Sequence, residues 1–205
     1  MRRALRIAGF VALALLLTGA ATLRYVMTMD LTARAQAGWL ETRLARAARS
    51  IAVPRDIAAR SNPIEVTPDV IANGRAHFAD HCASCHANNG SGETELGQGL
   101  FPRSPDMRLA ATQDLSDGEL FWIIENGIRF TGMPAWGTNT PEGEEQSWHI
   151  VHFIRRLPSL TAEEIAEMKA MNPRSPAEIR EEIEAERFLE GGGEPPPSAP
   201  PPHVH

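Results

Sequence analysis

Cys82 and Cys85 are the only cysteines in the 205-residue chain, and His86 stands directly behind the second, within FADHCASCHANNGSGE, residues 78–93. Two thiols at this spacing can close a disulfide, cycle as a redox dithiol or ligate a metal. A disulfide across two residues closes too small a loop to constrain the chain much. A redox dithiol has no need of the histidine. Zinc would want a second ligand pair, and the sequence has no other C-x-x-C. C-x-x-C-H is the attachment signature of haem c. Each thiol adds to one porphyrin vinyl, the two-residue spacer covers the distance between the vinyls, and the histidine falls under the iron as proximal ligand. The pattern therefore points to one covalently attached haem c, held by Cys82, Cys85 and His86.

Iron held this way needs a second axial ligand or keeps an open position. Met133 lies 47 residues after His86, in NGIRFTGMPAWG, residues 126–137. Gly132 before it lets backbone approach a planar cofactor, and Pro134 after it stiffens the loop. A thioether is soft enough for ferrous as well as ferric iron, and Met/His ligation raises the reduction potential. Methionine is also a common core filler, but its Gly-Met-Pro setting downstream of the attachment motif favours ligation. His149 and His152 are the rivals, and both fall inside a helical pattern where a core or surface role is expected.

CASCH followed by GMP resembles class I cytochrome c, the small monohaem electron carriers. The resemblance covers about Val66 to Leu157 and implies an all-α fold around one haem. Gly74 and Phe78, at helical spacing before Cys82, resemble the family's first helix, whose glycine lets the last helix cross closely. EEQSWHIVHFIRRL, residues 144–157, resembles that last helix, with Phe153 as the aromatic against the glycine. LSDGELFWIIENGI reads as a helix between them, with Ser116 as N-cap, Glu119 as its capping-box partner and Asn126-Gly127 as the stop. The resemblance further implies that the Gly- and Pro-rich stretch from Glu95 to Arg108 covers the proximal side. There a backbone carbonyl, from Pro102 or Pro105, accepts the proton-bearing nitrogen of His86, and Leu100 and Phe101 wall the crevice. Arg103, Arg108 and Arg129 are either propionate partners or solvated charges, and Trp136 is either a haem-edge contact or core.

These residues must be positioned and delivered by the rest of the chain. Arg2, Arg3 and Arg6 precede an uncharged run of seventeen residues, Ile7 to Leu23, closed by Arg24. The run sits at the lower edge of what spans a bilayer and exceeds the usual apolar stretch of a cleaved signal. The TGA at residues 18–20 keeps cleavage open. Read as an anchor, the segment gives a single-pass protein of the cytoplasmic membrane. The arginines stay in the cytoplasm and the haem domain lies on the periplasmic or extracytoplasmic side. Charge is asymmetric: residues 1–64 carry ten arginines and three acids, residues 65–160 six arginines and thirteen acids. A basic front suits an anionic membrane surface and an acidic body suits basic or neutral partners. Nothing resembles a nucleic-acid binder.

The expected organisation is a membrane anchor or signal peptide over 1–27, a basic helix and linker over 28–64, the haem domain over 65–158, a helical extension over 159–190 and a Pro/Gly/His tail over 191–205. LTARAQAGWLETRLARAARS, residues 31–50, has an amphipathic helix pattern that fits a stalk against the haem domain or a helix on lipid headgroups. Thr161 with Glu164, and Ser175 with Pro176 and Glu178, signal two further helix starts. Ile179 and Ile183 give the second of these helices only a thin apolar stripe. His203 and His205 can bind a transition metal weakly at most. The sequence holds no G-x-G-x-x-G, no phosphate loop and no acid dyad. The function expected is outer-sphere electron transfer between membrane-bound donor and acceptor proteins, not catalysis. The alternatives are the haem subunit of an oxidase or dehydrogenase complex, or a haem-based sensor.

Overall fold

The protein is described here by a computed structural model covering residues 2–174 and 176–189, with only the backbone of Pro176, Ala177 and Glu181. Ser175, the expected cap of the last helix, and the tail with His203 and His205 lie outside the described residues. Among the described residues every regular element is helical: α1 (Arg2–Thr28), α2 (Trp39–Ala52), α3 (Arg55–Ala58), α4 (Pro68–His77), α5 (Ala83–His86), α6 (Glu95–Gly99), α7 (Ala110–Gln113), α8 (Asp117–Asn126), α9 (Pro141–Arg156), α10 (Ala162–Met168) and α11 (Pro176–Leu189). A single π-helical turn, Phe78–Cys82, joins α4 to α5.

α1 contains the uncharged run. Its 27 residues are long and apolar enough to cross a membrane, about 40 Å at 1.5 Å per residue against a hydrocarbon core of about 30 Å. None of its residues is buried against the remainder of the chain.

The helix expected over residues 31–50 begins only at Trp39. An Asx turn, in which Asp30 Oδ1 accepts from the Thr32 amide at 2.9 Å, starts a non-helical stretch, and Gly38 becomes the N-cap of α2. The linker that follows is not simply extended. Val53 is buried, α3 forms within the linker, and the Ser116 hydroxyl donates to the Ala58 carbonyl at 2.7 Å. Asn62 Nδ2 donates to the Trp148 carbonyl at 2.9 Å, and the Arg60 guanidinium lies 5.3 Å from the Phe121 and Trp148 ring centres. Residues 53–64 thus seal one side of the domain.

The frame is the crossing of α4 and α9. Both start at a threonine cap followed by proline, Thr67-Pro68 and Thr140-Pro141, where the hydroxyl satisfies an orphan amide and proline's fixed φ suits the first turn. The α9 start lies three residues ahead of the expected Glu144. The two helices meet at Gly74, where a Cβ would run into the His149 carbonyl oxygen and lie 3.1 Å from Phe153 Cβ. This close approach lets Phe78 and Phe153, both fully buried, pack at 5.2 Å between ring centres. α8 carries the expected capping box, Ser116 with Glu119. It lays Leu120, Phe121 and Ile124 on the same core, with Phe121 stacked on Trp148 at 4.2 Å. Arg155 near the end of α9 clamps α7 to α8, donating to the Gln113 carbonyl at 2.7 Å and to Asp117 Oδ1 at 2.8 Å.

α10 begins at the expected Thr161–Glu164 capping box and places Met168 in the core with no exposure. Arg75–Glu167 and Arg156–Glu164 ion pairs, at 2.9 and 2.8 Å, hold it against α4 and α9. The hydrophobic core therefore includes a side chain from beyond residue 158.

Candidate functional site: the Cys82–His86 segment and the Met133 loop

The attachment segment is positioned by the first helix of the frame. Phe78 and Ala79, both buried, pin the π-turn, so the chain leaves α4 with Cys82 half-buried at its end. One further turn, α5, carries Cys85 and His86. Both thiols are free. Burial, with a smaller contribution from neighbouring Cys85, pushes the Cys82 thiol up to about 12, so it is a neutral thiol at any physiological pH.

His86 lies where the helix stops. Ala87 takes positive φ, and Gly90 and Gly92 repeat it, turning the chain sharply behind the imidazole. The Gly92 amide donates to the His86 carbonyl at 2.9 Å, and Thr94 Oγ1 donates to the Ser84 carbonyl at 2.8 Å. Instead of a continuous loop, residues 95–99 form α6, capped by Thr94, and Gly97 lets α6 press against the Cys85 carbonyl. His86 Nδ1 is buried without a full hydrogen-bond partner. The Pro105 carbonyl is close enough to favour the protonated ring, but burial outweighs it and the His86 pKa is lowered overall. Of the two prolines the sequence offered, Pro105 is the one beside the imidazole. Burial favours the neutral imidazole, and a neutral imidazole keeps one ring nitrogen as an electron-pair donor, as a metal-ligating histidine requires.

Met133 is half-buried in the loop after α8. Gly127, at positive φ, brings that loop back against the helix end, where a Cβ would meet the Met133 carbonyl oxygen at 2.7 Å. The loop is tied down through its backbone. The Ile128 amide donates to the Met133 carbonyl at 3.1 Å, the Trp136 amide to Ile124 at 3.0 Å and the Gly137 amide to Glu125 at 3.1 Å. Thr131 Oγ1 accepts from the Met133 amide at 3.1 Å and donates to the Ile128 carbonyl at 2.7 Å.

Two neighbours join this loop to the cysteine segment. Gly132 sits against Leu100, whose Cδ1 would lie 2.6 Å from a Cβ there, and Leu100 directly follows α6. On the other side Trp136 stacks on His81, the residue before Cys82, with ring centres 5.1 Å apart and planes 5° from parallel. Trp136 is thus a partly exposed strut, neither buried core nor an isolated edge. Sequence reasoning did not single out His81. Its partner lies 55 positions away, and nothing local marks the pair.

The rival histidines are engaged elsewhere. His152 Nε2 lies 2.8 Å from the Ile64 carbonyl. His149 is mostly buried on α9 at 3.9 Å from Glu145, and burial holds its pKa below the ordinary value against the pull of that carboxylate. Arg108 is paired with Asp106 at 2.7 Å, and Arg129 is exposed.

The residues present fit a haem c. Two cysteines with no disulfide between them stand at the attachment spacing, and the histidine behind them has a buried Nδ1 left without a hydrogen-bond partner. A glycine-cradled loop carries a methionine on the same side of the fold. The family model described as "Cytochrome C oxidase, cbb3-type, subunit III" matches residues 69–154, from the first turn of α4 to the last turn of α9. No curated protein matches the chain. The match and the helical architecture support a c-type cytochrome domain, preceded by an apolar helix and followed by additional helices.

Proposed function

We propose that the c-type cytochrome domain carries single electrons between protein partners at a membrane surface, using one haem c and no substrate chemistry. The observation that carries this reading is the Cys82–His86 segment itself: two cysteines at the attachment spacing, directly ahead of a histidine whose Nδ1 is buried with no hydrogen-bond partner and whose surroundings include the Pro105 carbonyl. When bound, haem supplies a one-electron couple between ferrous and ferric iron.

The chain's own residues account for the remaining requirements. Cys82 and Cys85 hold the group through thioethers. His86 would hold the iron through a ring nitrogen, with the Pro105 carbonyl among the groups around its imidazole. Met133 would hold the iron through its thioether sulfur, and such ligation would favour electron transfer over substrate binding. The loop that carries Met133 is tied down by its own hydrogen bonds, which would limit rearrangement of that loop during transfer. Leu120, Phe121 and Ile124 keep the interior apolar. The acidic body, thirteen acids against six arginines over residues 65–160, steers a basic partner patch toward it. α1 tethers the domain to the cytoplasmic membrane on its extracytoplasmic side, which raises its effective concentration for membrane-bound donors and acceptors.

The test is the protein matured in a host competent for haem c attachment. Its mass must rise by one tetrapyrrole, and its reduced-minus-oxidised spectrum must be that of a low-spin c-type haem. A Met133→His variant must keep the covalent haem and lose the near-infrared sulfur–iron band. A chain with no added mass refutes the reading, and a high-spin wild type that binds carbon monoxide readily refutes the role of Met133.

The description of the matched family favours a second reading, in which the same domain serves as the haem subunit of a larger oxidase. Purification in mild detergent distinguishes the two: a carrier elutes alone, and a subunit brings an oxidase with it.

A further inference from the structure

α2 is built backwards for a helix that belongs to the haem domain. At about 100° per residue, Leu40, Leu44 and Ile51 fall within roughly 40° of one another on its circumference, with Ala47 and Ala48 alongside. A stripe of this kind normally faces the core. Here it faces away. Leu40 is 54%, Leu44 62% and Ile51 84% exposed. The half-buried positions are Thr42 and Arg49, on the opposite side of the helix. Arg49 lies near enough to Glu119 of α8 to feel its charge, and Val53 just after the helix is buried. The polar edge and the C-terminal end of α2 therefore meet the domain, and the leucine stripe is left without a partner among the described residues.

Three further features identify what covers it. α2 carries Arg43, Arg46 and Arg49 against the single acid Glu41. Trp39, at its first position, is 77% exposed, and this amphipathic ring favours the boundary between headgroups and acyl chains. α2 also starts eleven residues after the end of α1, a distance the connecting chain cannot stretch beyond about 40 Å.

We propose that α2 lies on the anionic surface of the bilayer that α1 crosses, its Leu40–Leu44–Ile51 stripe sunk among the acyl chains and Arg43 and Arg46 paired with anionic headgroups. The inference rests on the reading of α1 as an uncleaved span. The helix then does more than lengthen a stalk. It has lipid on one side and, on the other, the half-buried Thr42 and Arg49 and the buried Val53 that follows it, which restricts how the domain can turn relative to the membrane. A flexible tether would leave that orientation free. Arg43, beside the stripe, can extend its stem along it with the guanidinium at the headgroups, and basic residues near an anionic leaflet add to the attraction in a salt-dependent way.

The test uses the full-length holoprotein in nanodiscs of phosphatidylcholine alone or with a third phosphatidylglycerol, and reads amide hydrogen exchange across residues 39–52. Co-elution of the chain with the discs reports α1 separately from the exchange that reports α2. Exchange over 39–52 is expected to be about tenfold slower in the anionic discs than in the zwitterionic ones. Leu40→Ser/Leu44→Ser should abolish the protection, and Arg43→Gln/Arg46→Gln should remove most of the difference between the two lipids. Fast exchange in both discs from a chain that stays with them overturns the proposal but leaves the span intact. Protection that survives the double serine variant means the domain holds the helix, and equal protection in both lipids means anionic headgroups play no part; each overturns it. A chain that does not co-elute overturns the span and the proposal together.

Discussion

Replacing Thr131 by valine removes one hydroxyl from the Met133 loop at almost constant shape. That oxygen accepts from the Met133 amide at 3.1 Å and donates to the Ile128 carbonyl at 2.7 Å, bridging the turn that presents the methionine. A half-buried hydrogen bond contributes about 1 kcal/mol net, so the two together hold the loop closed by about 2 kcal/mol. The backbone bonds from Ile128, Trp136 and Gly137 are unchanged. The loss therefore falls on the opening equilibrium and raises the open fraction about thirtyfold. On the proposed ligation by Met133, an external ligand such as imidazole reaches ferric iron only when that side chain has left, and its apparent affinity scales with that fraction. Titrating oxidised protein with imidazole should give a dissociation constant about thirtyfold lower for Thr131→Val than for wild type, with Thr131→Ser close to wild type. Wild type and Thr131→Val agreeing within twofold would refute the claim that this hydroxyl holds the ligand loop. So would a serine variant that behaves like valine.

Gly74→Ala should destabilise the holoprotein despite alanine's helix preference. A Cβ there overlaps the His149 carbonyl and presses on Phe153, and overpacking costs of about 1–3 kcal/mol exceed a propensity gain of about 1 kcal/mol. The expected fall in Tm by calorimetry is about 10 °C. Gly99, with nothing near its Cβ position, is the control, and a Gly74→Ala melt at or above wild type would sink the close-crossing argument. Burial is the first cause that lowers the pKa of His77 and of His149 from 6.5. The unfolded chain then binds these protons first. Their contribution to stability is present above pH 6.5 and drains away as pH falls below it. Tm should drop between pH 7 and 5, less steeply in His149→Gln, and a flat profile in wild type would contradict the assignment. Electron exchange with a basic redox protein should slow as salt rises from low to physiological ionic strength, and stopped-flow rates indifferent to salt would remove the steering role of the acidic body.

What the sequence revealed and what it hid follow from how far each interaction reaches along the chain. The attachment signature spans five positions, so Cys82, Cys85 and His86 stand out as candidates from the sequence alone. The capping boxes at Ser116 and Thr161 reach three residues and were equally plain. The start of α9 was placed late because PEGEE carries no apolar period; Thr140 and Pro141 start the helix through capping and a preset φ, and burial follows only from Ser147 onward. The break between Leu31 and Trp39 was missed for the opposite reason. The apolar residues there keep helical spacing, but the Asp30–Thr32 turn offers the backbone a competing hydrogen bond and Gly38 serves better as a cap than as an interior residue. Met168 and the His81–Trp136 stack were invisible, because each depends on where another helix or loop arrives in space. The same distinction explains α2. Its amphipathic pattern was readable, but which way the stripe points is decided by Thr42, Arg49 and Val53 meeting the domain. Only that orientation turns a helix that could have been a packed stalk into one whose apolar side has no partner among the described residues.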